Sequence, residues 1–535
     1  MRLSVSLLVL SLLVPAVHGQ QQPPPPPPRK PFIEPVEHQH TRRELRARAA
    51  SPYTTGQWTT LPTIMSINPV HVALMHNGKV LVIAGSGNVD PNPNWEAAVF
   101  DPVTATERSF KISWDMFCNG MVVLPDGHPF VMGGTLKYAP PDPWIGEKKT
   151  SSFNPSTETF TNKASMSGGR WYPTGTVLGD GTVLTISGLD VGSLNNSIDI
   201  YHPSSNSWTH SGSGFDGLPL YPRMTLLPDG KVFESGSNPN AKTYTPSSGE
   251  WEDVPTTIFG KYREYGTSVL LPLTPARSYA PRVMILGGGQ SNGVDPIEAT
   301  ATTELIDLSA ATPAWTEGPK MVDPRIQLNA TLLPGGRVLV SGGSGIDENG
   351  TTAVLAAELY DPEANTFRPA ETMEFPRLYH SNTLLLPDAT VLAVGGNPAR
   401  GDYEPHVEVY SPPYLFKADG SRAARPAISS STVTAIHYGA SFDIDTHQAA
   451  GIRGVELIRA GAVTHSFDMD QRLVGLTYTA ASGVLHAKAP SSANLAPPGY
   501  YLLFIIDSYG VPSVAHWVHL TKSTTASATS KRKKY

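Results

Sequence analysis

The sequence predicts an all-β protein: a seven-bladed, kelch-type β-propeller followed by a smaller immunoglobulin-like β-sandwich. Three observations predict it. The 535 residues include 48 Gly and 50 Pro, a composition suited to many short strands and turns rather than long helices. From residue 51 onward, an apolar strand, a Gly-bearing turn and a second apolar strand recur seven times. A second motif, an aromatic two residues before proline, falls between those copies.

The first motif starts with HVALMHNGKVLVIAG at His71, then GMVVLPDGHPFVMGG at Gly120 and GTVLGDGTVLTISG at Gly175. It continues with RMTLLPDGKVFESG at Arg223 and a stretched copy from Ser268. NATLLPGGRVLVSGG at Asn329 and SNTLLLPDATVLAVGG at Ser381 complete the set. Turn glycines fall at 78, 127, 181, 230 and 336, with Ala389 in the last copy, a spacing near 50 residues. The Asn-Gly and Asp-Gly pairs predict two-residue hairpin turns, which need positive φ. The second motif reads Phe100-Asp-Pro, Phe153-Asn-Pro, Tyr201-His-Pro, Tyr244-Thr-Pro, Tyr360-Asp-Pro and Tyr410-Ser-Pro, with Trp208, Trp251 or Phe367 following three of them. One four-stranded unit cannot bury both faces alone, so seven pack radially over residues 51–416. Beyond Phe416 the pattern stops, and VELIRAG, LVGLTY and YYLLFIID predict the sandwich over 425–522.

The flanks differ in kind. Arg2, the apolar run Leu3–Val14 and small residues up to Gly19 read as a signal peptide over 1–19, predicting a secreted, extracellular protein. Residues 20–50, with prolines 23–28 and the basic Arg42-Arg43, read as a disordered linker or a propeptide, and 523–535 as a basic tail. The short stretch before the first blade leaves no room for an N-terminal carbohydrate-binding domain. Asn195, Asn329 and Asn349 lie in glycosylation sequons, Asn329 the least accessible because its run reads as a strand. A net charge of −6 argues against nucleic acid or anionic membrane as partner, and no later run reaches about 18 apolar residues. Composition leaves the oligomeric state open.

Cys118 is the single cysteine, so no internal disulfide can form. In an oxidising compartment such a thiol is buried, paired between chains, or chemically used. The turn position serves as a ruler. Cys118 precedes Gly127 by 9 residues, Tyr172 precedes Gly181 by 9 and His380 precedes Ala389 by 9, with Tyr379 alongside. Equivalent strands put these four at one mouth of the central channel. Tyr221 shares the offset and reads as packing; His71, His76 and His128 read as structural or exposed.

The segments FCNG at Phe117, RWYPTGTVLGDG at Arg170, PRLYHSNTLLLPD at Pro376, THSFDMDQR at Thr464 and GVPSVAHWVHL at Gly510 resemble the copper radical oxidases, the glyoxal oxidase and galactose oxidase family. Arg-Trp-Tyr-Pro places the chain nearer the glyoxal oxidase branch. The resemblance spans about residues 55–522 and implies an early-set fold for the sandwich. It implies a thioether crosslink between Cys118 and Tyr172, forming a protein-derived radical cofactor, and one copper ion per chain. Tyr172, Tyr379, His380 and His465 become its ligands, with Tyr379 axial and also the general base. His465 comes from the second domain, which must push a loop into the channel.

Two nitrogens, two phenolic oxygens and one open position suit Cu(II). One copper stores one electron, whereas oxidising an aldehyde or alcohol removes two, and a sulfur-bonded tyrosine supplies the second site. The resemblance thus implies a small aldehyde or alcohol substrate, O2 as acceptor and H2O2 as product, with extracellular peroxide-consuming enzymes as possible partners. Aldehyde hydrates are the first expectation, primary alcohols the alternative, and a kelch scaffold without catalysis the reading from another class.

Overall fold

The computed structural model describes residues 51–87, 94–139, 143–290 and 297–522; the expected signal peptide, the Pro-rich segment and the basic tail lie outside them. Each sequence repeat becomes one antiparallel four-stranded sheet, seven among the described residues. The first sheet is His71–Leu74, Val80–Gly85, Glu96–Asp101 and Thr106–Lys111. The next five begin at Gly120, Thr174, Met224, Thr267 and Ile326 and run through four strands in chain order. The seventh takes Ser381–Leu385, Val391–Gly395 and His406–Ser411 from its own repeat, and its outer strand, Gln57–Ile64, from the beginning of the described chain. Neighbouring sheets touch through their first strands except the fourth and fifth, which meet through the Ser235–Ser268 hydrogen bond, and the seventh packs back on the first.

The turns differ from expectation. Met75 N–H donates to Lys79 O, and Gly78 N–H to Met75 O, so the loop has three residues rather than two. Only the glycine carries positive φ, at 83° in Gly78, and Ala389 takes the same place at 65°. This is a type I turn closed by a left-handed bulge residue. The preceding Asn or Asp serves a different purpose from the one predicted: its carboxyl or amide oxygen accepts the N–H two residues on, as in Asn77 to Lys79 and Asp126 to His128.

The aromatic-x-Pro motif closes the outer half of several sheets with an aromatic pair. Tyr201 sits opposite Trp208, Tyr244 opposite Trp251, and Tyr360 opposite Phe367, in register on the third and fourth strands. Their rings approach at 4.9–5.1 Å. Tyr410 has no such partner in its own repeat. Trp58 supplies it, opposite Tyr410 with centroids 4.9 Å apart. The strand Gln57–Ile64 is thereby joined to the seventh sheet by the kind of aromatic pair that closes the third, fourth and sixth.

The C-terminal part is a sandwich of a five-stranded sheet over a three-stranded one, packed on an apolar core that includes Ile444, Val455, Leu457, Leu485 and Ile505. One hairpin leaves it. Ala462–Thr464 and Phe467–Asp468 add two strands to the inner edge of the first sheet, with His71 opposite Thr464. Asp468 caps this hairpin by accepting from the N–H groups of Ala462, Asp470 and Gln471. Gln471 then bridges Leu332 N–H and Ala330 O, while Arg459 donates to Val123 O and to Asp470. The Asp-Met-Asp-Gln-Arg run is therefore a latch between the two domains.

Candidate copper site

The nine-residue ruler marks the one place where the inner strands are strained. Cys118, Tyr172, Tyr221, Tyr265, Gln327 and His380 open six successive sheets, and all have left-handed backbone, φ between 44° and 69°. The corresponding residue before the first sheet is Pro69, which cannot adopt it. Bulky residues in this region cost of order 1–2 kcal/mol each and persist only where the surroundings hold them. Backbone hydrogen bonds tie the positions together: Tyr172 N–H to Cys118 O at 2.9 Å, Tyr221 N–H to Tyr172 O at 3.0 Å, and Gln327 N–H to Tyr265 O at 2.7 Å.

A buried arginine two residues earlier supports most of them. Arg170, Arg263 and Arg325 precede Tyr172, Tyr265 and Gln327 by two residues, and Arg377 precedes Tyr379 likewise. Each guanidinium donates to a carbonyl at the end of the second strand of its own sheet. It also meets a carboxylate on the third: Asp199 at 2.7 Å, Glu304 at 2.7 Å, Glu358 at 2.9 Å and Glu408 at 3.0 Å. The second sheet has no such arginine, with Met116 two residues before Cys118, and the fourth differs in another way. Arg223 follows Tyr221, and Glu234 is fully buried with neither carboxylate oxygen hydrogen-bonded among the described residues.

The five predicted site residues meet at this mouth. The phenol oxygens of Tyr172 and Tyr379 are in direct hydrogen-bond contact. The imidazoles of His380 and His465 stand edge to face, 85° apart with centroids 4.6 Å apart. His465 Nε2 lies 3.7 Å from Cys118 Sγ. Ligand atoms of Cys118, His380 and His465 fall within 4.8 Å of one another, the group of metal-ligating His, Cys and acidic side chains found among the described residues. The expected loop from the second domain is the hairpin described above. Its two turn residues, His465 and Ser466, both have positive φ (46° and 65°), a geometry that usually falls to Asn-Gly.

Local bonds orient these groups. Thr464 Oγ1 donates to Val70 O at 3.2 Å and so accepts from His465 Nδ1 at 2.6 Å, leaving Nε2 as the lone-pair nitrogen on the Cys118 side. Trp171 stacks on Tyr172 at 3.8 Å and Tyr221 on its other neighbour side at 4.6 Å. Burial, reinforced by Cys118 and by the other phenols, holds Tyr172 and Tyr379 well above the ordinary phenol range. Burial and the nearby His71 keep the His465 imidazole neutral, the form that ligates. The donor set of two imidazoles, two phenols and one thiol fits copper better than the tetrahedral sets typical of zinc.

Two residues escaped the sequence reading. His71 is fully buried, and its Nε2 accepts from the N–H of Cys118 at 3.1 Å, fixing the strained residue from the first sheet. Its position in an apolar strand carried no signal of this. Gln327 lies nine residues before Gly336, so the ruler reaches it directly. Of the other residues, Tyr221 packs as expected and donates to Asn119 O at 2.7 Å. His76 stacks on Tyr500, and His128 faces Asp126 away from this group. Asn329 is buried and bonded to Ser381, which leaves that sequon inaccessible.

Residues 92–414 match the family described as glyoxal oxidase N-terminus, and 425–520 match the galactose oxidase-like early set domain. The chain belongs to the glyoxal oxidase and galactose oxidase family of copper radical oxidases. It is 29% identical over 528 residues to a galactose oxidase of Gibberella zeae, covering 90% of this chain and 73% of that one. It is likewise 29% identical over 529 residues to the aldehyde oxidase GLOX of Vitis pseudoreticulata, covering 87% and 97%. Among solved structures it resembles a fungal alcohol oxidase of the AA5 family in complex with copper, with a TM-score of 0.78, 25% identity, and coverage of 88% of this chain and 100% of that one.

Proposed function

We propose that this copper radical oxidase is a secreted, seven-bladed kelch propeller whose Cys118–Tyr172 thioether and single copper oxidise small aldehydes, as hydrates, to carboxylic acids while O2 is reduced to H2O2. The observation that carries this reading is the meeting of Tyr172, Tyr379, His380 and His465 around Cys118. Tyr172, Tyr379, His380 and His465 would hold the metal. Bound there, copper supplies one of the two one-electron acceptors that the oxidation needs and a position for the substrate oxygen.

The chain supplies the rest. Tyr379, which would be held as the phenolate when it ligates the metal, takes the substrate hydroxyl proton as general base. Tyr172, as the radical, abstracts hydrogen from the substrate carbon. Its crosslink to sulfur spreads the unpaired electron, and Trp171 stacked over it shields it from solvent. The thioether also consumes the one cysteine, so a secreted chain carries no stray thiol. Primary alcohols are the second reading, favoured by the galactose oxidase and alcohol oxidase relatives.

The test is to load recombinant protein with copper and assay peroxide with glyoxal, methylglyoxal, glycerol and galactose. Copper-dependent peroxide from the first two supports the aldehyde reading; peroxide from glycerol or galactose alone moves it to an alcohol oxidase. No peroxide from any of the four, in protein that shows radical absorption, would sink both.

A further inference from the structure

Two of the six strained mouth positions, Tyr265 and Gln327, have no part in the redox chemistry. Tyr265 meets the ring of Tyr379 edge to face at 5.8 Å, and its carbonyl holds Gln327 N–H. Gln327 is 1% exposed, and its Nε2 donates to Asp347. Because a carboxylate can only accept, this bond fixes the amide's orientation. The amide oxygen, Oε1, is buried without a hydrogen-bond partner among the described residues.

Asn397 repeats the arrangement from the far side of Tyr379. Its backbone N–H donates to Tyr379 O at 2.7 Å, and its Nδ2 to Glu348 at 3.0 Å. It too is 1% exposed, and its Oδ1 is also a buried acceptor without a partner among the described residues. Consecutive carboxylates of one turn, Asp347 and the left-handed Glu348 (φ 41°), thus pin two amides from two sheets. Glu264, Asp347, Glu348 and Arg400 lie around Tyr265, and Arg400 pairs with Glu348 at 2.5 Å.

A buried acceptor without a donor is costly, of order 1–3 kcal/mol, and a molecule that brings hydroxyl groups relieves it. An incoming carboxylate brings these two oxygens only more acceptors. We propose that Gln327 and Asn397, held by Asp347 and Glu348, form a subsite beside Tyr379 that selects neutral, hydroxyl-bearing substrates and rejects carboxylate-bearing ones. The inference rests on the oxidase reading of the neighbouring site, and names the substrate class within it.

Two measurements separate the subsite from that reading. In copper-free protein, saturation-transfer NMR should detect glycerol but not glycolate, and Gln327→Met should weaken the glycerol signal roughly fivefold to tenfold, the weight of one hydrogen bond to a buried acceptor. In copper-loaded protein, glyceraldehyde should exceed glyoxylate in kcat/KM by at least about tenfold, through KM, and Gln327→Met should erase most of that ratio while the radical absorption stays. Asp347→Asn, which frees the amide without deleting it, should erase part of it and guards against a misfolded Met variant. Glycolate binding as well as glycerol, or a ratio untouched by both substitutions, overturns the subsite. Glycerol binding to protein that makes no peroxide retains the subsite and sinks the oxidase reading instead.

Discussion

The two ends of the same inner strands obey opposite rules. At the turn end the left-handed position belongs to glycine at 78, 127, 181, 230 and 336, where it costs little. Nine residues earlier, at the mouth, the same backbone region is occupied by Cys, Tyr, Gln and His. One end is relaxed and repetitive; the other is strained and chemically varied. The difference shows where the fold's stability is used: the buried arginine–carboxylate pairs and the channel hairpin hold the mouth residues in a backbone they would not choose. Strain here is a positioning device, and it aims thiol, phenol and imidazole at one point.

That contrast can be broken in graded ways. The largest effect belongs to the mouth itself: Cys118→Ser should lower turnover by about a thousandfold or more, a barrier increase of about 4 kcal/mol, with the circular dichroism of the fold unchanged. A Ser variant that keeps near-full activity rules out the radical centre. Next comes the support. Asp199→Leu leaves the Arg170 guanidinium buried without its carboxylate, and urea unfolding should register a loss of about 3–5 kcal/mol together with a lower radical yield at Tyr172. Unchanged stability would mean that the pair does not hold the strained strand.

The fourth sheet offers a subtler contrast, because its arginine and carboxylate do not pair. Burial pushes Glu234 up to about 8 from 4.5, although Arg223 and Lys242 pull it down. Between those values the folded chain keeps a proton that the unfolded chain has lost, so stability should fall as pH rises through the window. Glu234→Gln should flatten that decline in thermal unfolding scans; an equally sloped variant would assign the decline elsewhere. The smallest change is Ser466→Gly, which relieves one left-handed residue of the hairpin and should stabilise by about 0.5–1 kcal/mol.

Much of this was legible in the sequence, for physical reasons. Repeats at a steady period mark sheets because most of them carry the same turn, and several the same aromatic pair. The offset from the turn glycine located Cys118, Tyr172 and His380 because strands of equal length end at equal depth. Tyr379 came with His380 as its chain neighbour, whereas His465 needed the family resemblance, since it reaches the mouth by a hairpin that no spacing announces. Trp58 as partner of Tyr410 was missed because the pair spans the whole propeller-like ring. The turn type was misread because Asn-Gly and Asp-Gly serve both hairpin classes, and only backbone hydrogen bonds distinguish them. The arginines at 170, 263, 325 and 377 carried no signal in the sequence, because the carboxylates that meet them lie some 30 to 40 residues later.

The central claim is that Cys118 and Tyr172 are joined, and intact mass tests it most directly. Protein purified without copper and then exposed to copper and oxygen should become lighter by two hydrogens and lose its one alkylatable thiol. Unchanged mass, with Cys118 still open to alkylation after copper uptake, would contradict the account.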